Sequence, residues 1–374
     1  MRTSKQHDYK IVLLAGGVGG AKMAEGLACS RYGAQLSIIG NVADDQEFHG
    51  LWVSPDIDTL TYTLADMIDR EKGWGLKEES SRTLDALTRL GADTWMYLGD
   101  QDFATHIYRT GQRLKGERPS TIARHIARRL GVHTDIILPT DDCIQNRVKT
   151  AQGWLDFQSY FVREACQPEI LEFAIDGIEQ AEPTPEALAA INEADLIVFA
   201  PSNPIVSIGA ILAVPGIRQA LAQSSAYKVA VSPIINGQTV KGPADRMMAA
   251  AGYSSDVLGV ADCYAGLLDA LVIDQLDRDA VPELAAKGLQ VLATDTLMYS
   301  LENKIRLADT LIHLYESQRS EAKDQQTRIV EYKIAEGKTV EDIAVKGNGV
   351  AAHHPVAQNR LKPMTGTGMQ EAMR

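Results

Sequence analysis

The chain has 374 residues, 45% of them hydrophobic and 23% charged, which suits a globular protein with a large buried core and excludes a fibrous or disordered one. Lys and Arg number 37 against 49 Asp and Glu, and the formal charge of −12 opposes extended contact with nucleic acid or with an anionic membrane surface. The cysteines at 29, 143, 166 and 263 make no Cys-x-x-Cys pair and no apolar run reaches eighteen residues, so reduced thiols and a soluble, cytoplasmic protein are expected.

Residues 9–15 are an apolar run ending in glycines, and 21–30 then carry helix formers. A second apolar run at 35–39 completes a β-α-β unit of the kind that builds a parallel sheet. Further buried strands are expected at 134–138, 195–200, 227–232, 257–260 and 271–273, with helices near 57–70, 80–90, 119–130, 185–193 and 242–251. That alternation predicts a doubly wound α/β fold around a mostly parallel sheet. Residues 147–162 break the rhythm and read as a small antiparallel hairpin insertion leaning on the sheet. A long amphipathic helix is predicted at 297–317, so residues 1–318 are read as one domain. Residues 319–374 form an extension to which no role is assigned; its last twenty-five residues lack core-forming periodicity and are expected to be mobile in isolation.

The motifs fall where strands end. Gly16-Gly17-Val18-Gly19-Gly20-Ala21-Lys22 lies between a strand and a helix, where free backbone N–H groups and the positive helix end face an anion. It lacks the third glycine of a dinucleotide fingerprint and the Gly-Lys-Ser/Thr of a Walker loop. The second strand runs into Gly40-Asn41-Val42-Ala43-Asp44-Asp45, and two adjacent carboxylates at this edge suggest a magnesium site. In Ser54-Pro55-Asp56-Ile57-Asp58-Thr59, Ser54 or Asp56 is placed to cap a helix, which leaves Asp58 in the first turn unexplained by capping. Leu98-Gly99-Asp100-Gln101-Asp102 leads to Ala104-Thr105-His106, while Pro201 to Gly209 and Ser232 to Gly237 are Pro-stiffened loops rich in hydroxyl and amide groups. All of them fall at the carboxyl edge of one predicted sheet and are expected to converge on a single cleft.

Together these segments, with Gly73-Trp74-Gly75 and Ser232-Pro233-Ile234-Ile235, resemble the CofD family, the 2-phospho-L-lactate transferases of coenzyme F-420 biosynthesis, in order over residues 9–317. The resemblance implies a Rossmann-like three-layer α/β/α sandwich, a homodimer, and magnesium-dependent action on small-molecule substrates. These are a guanosine-diphosphate-activated phospho-acid and the deazaflavin alcohol Fo, and the products are F-420-0 and GMP. By position, the resemblance makes Asp58 the contact to Fo, expected to orient or deprotonate its hydroxyl, and makes Asp44 and Asp45 the metal ligands. Gly16, Gly17, Gly19, Gly20 and Lys22, with Ser202, Asn203 and Ser207, become the phosphate and guanosine cradle. Asn41 and His106 join the same substrate-binding set. Family members commonly carry a basic residue where this chain has Gln101, which removes a charge contact there. Two rivals share the β-α-β glycine loop: an NAD(P)-dependent oxidoreductase, and a nucleotide-binding regulatory protein of the same superfamily.

Overall fold

Residues Ile11–Ala15 form β1, and all five are buried because this strand lies inside a parallel sheet covered by helices on both faces. The structure is a computed structural model and describes residues 9–335. The sheet has seven strands, in the order Gln290–Thr294, Ala270–Asp274, Tyr227–Val231, Leu196–Phe199, β1, β2 (Leu36–Gly40) and Asp135–Ile137. Every neighbouring pair is parallel. The three-layer α/β/α architecture expected from the sequence is the one observed.

The chain builds outward from β1 to β2 and Asp135–Ile137, then crosses back to lay Leu196–Phe199 against the other side of β1. This reversal is the switch point at which open α/β sheets place their ligand crevice, and residues of the loops after β1 and after Leu196–Phe199 line one cavity. The loops are stitched at the base: Ser202 Oγ donates to the Gly16 carbonyl at 2.7 Å and accepts from the Gly16 N–H at 3.2 Å. A Cβ at Gly19 would stand 2.2 Å from the Pro201 carbonyl oxygen, so the approach requires glycine there.

Four elements depart from expectation. Residues 257–260, read as a strand, lie in the helix Val257–Cys263, because Asp256 caps its N-terminus by accepting from the Gly259 N–H at 2.9 Å. The hairpin Gln145–Thr150 and Gly153–Asp156 gains a third antiparallel strand, Glu172–Asp176, and Asn146 N–H ties this ribbon to the Ala43 carbonyl behind β2. The edge strand Gln290–Thr294, half-buried rather than buried, was not predicted. The long helix runs Leu301–Ala335, past the expected stop at 317, since the residues that follow are mainly helix formers without Gly or Pro.

The body ends at Tyr315, and among the described residues Glu316 to Ala335 belong to a second unit. Within the body, the long helix is anchored by buried Leu307, Ala308, Leu311 and Ile312. It is also anchored by a buried ion pair, 2.5 Å, from Lys304 to Glu25 of α1 (Gly17–Ala28). Of the extension, residues 336–374, and the mobility expected of the last twenty-five, lie outside the described residues.

Candidate active site

The crevice deepens into a cavity of about 580 Å³, lined at one end by Gly16, Gly17, Gly19 and Lys22 of the glycine loop and α1. The N-cap Gly16 has no side chain to cap α1, and the first N–H of the helix, that of Gly17, goes to the Asp56 carboxylate. Lys22 makes no hydrogen bond or ion pair among the described residues. Its ammonium pKa is lowered, first by burial and then by Lys304 and Lys241. An unpaired cation beside a helix N-terminus has the chemistry to receive an anion. Gly20 does not line it; this residue packs on Ala15 and the Ser202 hydroxyl.

Asp44 and Asp56 form the acidic part of the cavity wall. The Asn41 amide donates to both, at 3.1 Å to Asp44 and 2.9 Å to Asp56, and Asn146 donates to Asp44 at 2.7 Å. Burial raises both carboxyl pKa values. Asp44 is driven well above the ordinary range with Asp56 as the second cause, and Asp56 rises to about 6 despite hydrogen bonds from Asn41 and the Gly17 N–H. Two buried carboxylates, each opposing the other's charge, are relieved by a divalent cation. Asn41, expected to touch substrate, is instead the bracket that holds this pair.

Asp45 does not join them. Consecutive residues in this turn point apart, and the Asp45 carboxylate accepts from Ser54 Oγ at 2.6 Å and Trp52 Nε1 at 3.1 Å, away from the cavity. Its other oxygen has no partner and burial pushes its pKa up to about 7. The expected pairing of Asp44 with Asp45 is therefore replaced by Asp44 with Asp56. Ser54 is spent on Asp45 and makes no side-chain cap on α2 (Pro55–Leu64), which starts on Pro55 instead.

Asp58, expected as the catalytic group, lies outside the cavity lining. Both its oxygens are taken by the Arg109 guanidinium, one at 3.1 Å and one closer, and both side chains are buried. Arg109 also donates to His106 Nδ1 at 3.2 Å, which makes that nitrogen an acceptor and puts the ring proton on Nε2, buried without a partner. Burial holds His106 at about 4, so the ring is neutral. Nearby Asp102 is pushed up to about 7 by burial and by Asp58. This cluster fastens helix Asp100–Arg113 to the first turn of α2, and His106 is part of that fastening rather than of the substrate wall.

The loop 201–207 contributes Ser202, Asn203 and Ser207 to the cavity, as expected. Asn203 also shapes its own loop: its Oδ1 accepts from the Ile205 N–H at 2.9 Å. The same cavity is also lined by an aromatic wall that sequence reasoning missed apart from Trp74. It is built of Trp74, Trp95, Tyr97, Phe157 and Phe161. Phe157 and Phe161 stack at 5.6 Å, Trp74 meets Tyr97 edge-on at 6.0 Å, and Lys72 lies over both of the latter rings. Exposure was the missing signal: Trp74 and Phe161 remain 39% and 37% exposed, which no apolar periodicity reveals.

The family described as 2-phospho-L-lactate transferase CofD matches residues 11–311. A phosphoenolpyruvate transferase of Streptomyces coelicolor is 40% identical over 316 residues, covering 83% of this chain and 99% of the relative. A 2-phospho-L-lactate transferase of Methanococcoides burtonii is 34% identical over 305 residues, covering 82% and 99%. Among solved structures, a protein of the upf0052 family from Bacillus halodurans superposes with a TM-score of 0.54 at 16% identity, over 82% of this chain and 99% of that one, a likeness of fold alone.

Proposed function

The chain belongs to the CofD family and is a transferase, and from that premise we propose that it moves a three-carbon phospho-acid from a guanosine-diphosphate-activated donor to the hydroxyl of Fo, releasing GMP and forming F-420-0 or its analogue. The observation that carries this reading is one cavity lined by both a polar set and an aromatic wall. Its glycine loop, Lys22 and acidic pair suit a diphosphate, and its aromatic wall suits a planar deazaflavin.

In the proposed step, the acceptor hydroxyl attacks the phosphorus that bears the acid and the bond to GMP breaks. Such a transfer depends on alignment and charge neutralisation more than on a strong base. The N–H groups of the glycine loop and Lys22 bind the donor oxygens, and the aromatic wall orients the acceptor and excludes water. Asp44 and Asp56 are the residues that would hold magnesium. Among the described residues no three His, Cys, Asp or Glu side chains gather around one point, so the rest of the coordination would come from donor oxygens and water. Bound there, magnesium supplies neutralisation of diphosphate charge. Higher identity to the phosphoenolpyruvate transferase than to the archaeal phospholactate transferase favours an enolpyruvyl donor. A cytoplasmic homodimer is part of the same reading; among the described residues no helix is long and apolar enough to cross a membrane.

The test is mass spectrometry of products formed from Fo with phospholactyl, enolpyruvyl and phosphoglyceryl donors, with magnesium and after chelation. GMP release that requires both Fo and magnesium is expected, with the enolpyruvyl donor turned over fastest. No GMP from any donor would refute the reading, and full activity in excess chelator would remove the metal from it.

A further inference from the structure

Lys241 belongs to no motif singled out in the sequence, yet its ammonium stands over the glycine loop. It lies in the turn between the ribbon Ile234–Ile235 with Gln238–Thr239 and the helix Ala244–Ala250. From this turn it lines the cavity and donates to the backbone carbonyl of Lys72. Lys72 occupies the tip of a second hairpin, closed by the Asp69 N–H on the Gly75 carbonyl at 2.9 Å. That tip rests on the glycine loop: a Cβ at Gly73 would stand 2.9 Å from Val18 and 3.4 Å from Lys241 Nζ. The ammonium is thus fixed between the loop that cradles phosphate and the tip whose Trp74 and Lys72 begin the aromatic wall.

Its partner is a neutral carbonyl, and among the described residues no carboxylate pairs with it. In a chain with twelve more acidic than basic side chains, two lysines without carboxylate partners face one cavity. Each charge opposes the other, and burial lowers the pKa of both. A multiply charged anion between them removes that opposition. Position decides which anion: the group being transferred must touch donor cradle and acceptor wall at once, and Lys241 stands at their junction.

We propose that Lys241 binds the transferred end of the activated donor, sharing with Lys22 the anionic oxygens of the phosphoryl group and its attached acid. This rests on the reaction proposed above, but its test separates the two. Calorimetric titration of the full chain, with magnesium, uses inorganic pyrophosphate, GMP and GDP as probes. Lys241→Met should weaken pyrophosphate and GDP about tenfold or more, as expected for loss of a charge-assisted contact, while GMP affinity moves less than about threefold. Lys241→Arg should stay within about threefold of wild type for all three, with unchanged melting temperature in both variants.

Equal loss of GMP and GDP would mean a damaged loop and overturn the assignment, as would pyrophosphate and GDP affinities in Lys241→Met within about threefold of wild type, or no pyrophosphate binding by wild type. Wild-type protein that holds pyrophosphate through Lys241 yet releases no GMP from any donor would refute the reaction and leave the Lys241 assignment standing.

Discussion

Replacing Asp58 by Asn separates a structural acid from a catalytic one. Asp58 and Arg109 are 4% and 5% exposed and joined by a two-pronged ion pair, so the substitution leaves a buried guanidinium facing only neutral acceptors, the Trp52 carbonyl and His106 Nδ1. Removing one partner of such a pair costs about 3–5 kcal/mol. For a body of this size that lowers the melting temperature by roughly 6–12 °C. Asp58→Asn with Arg109→Met removes both charges and should recover a large part of the loss. Asp56→Asn is the contrast: the amide oxygen still accepts from Asn41, and a buried charge that opposes Asp44 is removed, so the melting temperature should hold. Turnover should fall by roughly a hundredfold, because the charge beside Asp44 is gone. Thermal melts of the four proteins, with turnover of Fo and donor measured well below each transition, read the two effects apart. If Asp58→Asn melts within about 2 °C of wild type and still loses a hundredfold in turnover, the carboxylate acts on substrate and the reasoning from burial is wrong.

Two further outcomes follow from the geometry. His106 has its pKa lowered from 6.5 to about 4, chiefly by burial, so its contribution to stability is fully present above 6.5 and is lost as pH falls through 4; the stability difference between wild type and His106→Gln, measured in urea, should shrink across that window by on the order of 3 kcal/mol. A chain ending at residue 318 keeps every anchor from Lys304 to Tyr315 and should melt within about 2 °C of the full chain, whereas a larger drop would show that the extension stabilises the body.

The central strands were legible because a parallel strand buried on both faces must be continuously apolar, as Ile11–Ala15 and Leu196–Phe199 are. Edge strand Gln290–Thr294 is half-buried and carries no such run, so it escaped notice. Residues 257–260 are apolar enough for a strand, and only the cap at Asp256 tips them into a helix. The glycine loop was legible because strand, glycines and helix formers point the same way, and the loop at 201–207 because prolines and small polar residues follow a buried strand. The aromatic wall was not legible: Trp95 and Tyr97 come from one segment, Phe157 and Phe161 from another far along the chain, and both line the cavity only in the folded protein.

The exchange of roles between Asp56 and Asp58 has a cause the sequence contains. Residues two apart on a helix project about 200° from each other, so at most one of these two acids in the first turn of α2 can face the crevice. The other must look back into the protein, where a carboxylate is tolerated only with a charged partner. A partner is written in the next helix, whose Asp102, His106 and Arg109 recur at spacings of four and three and therefore share one face, all of them buried. A buried polar stripe on one helix calls for a buried acid opposite, and Asp58 meets that demand. Asp56, released from it, stands beside Asp44 under one shared amide, which puts two carboxylates on the cavity wall where the proposed magnesium would need them.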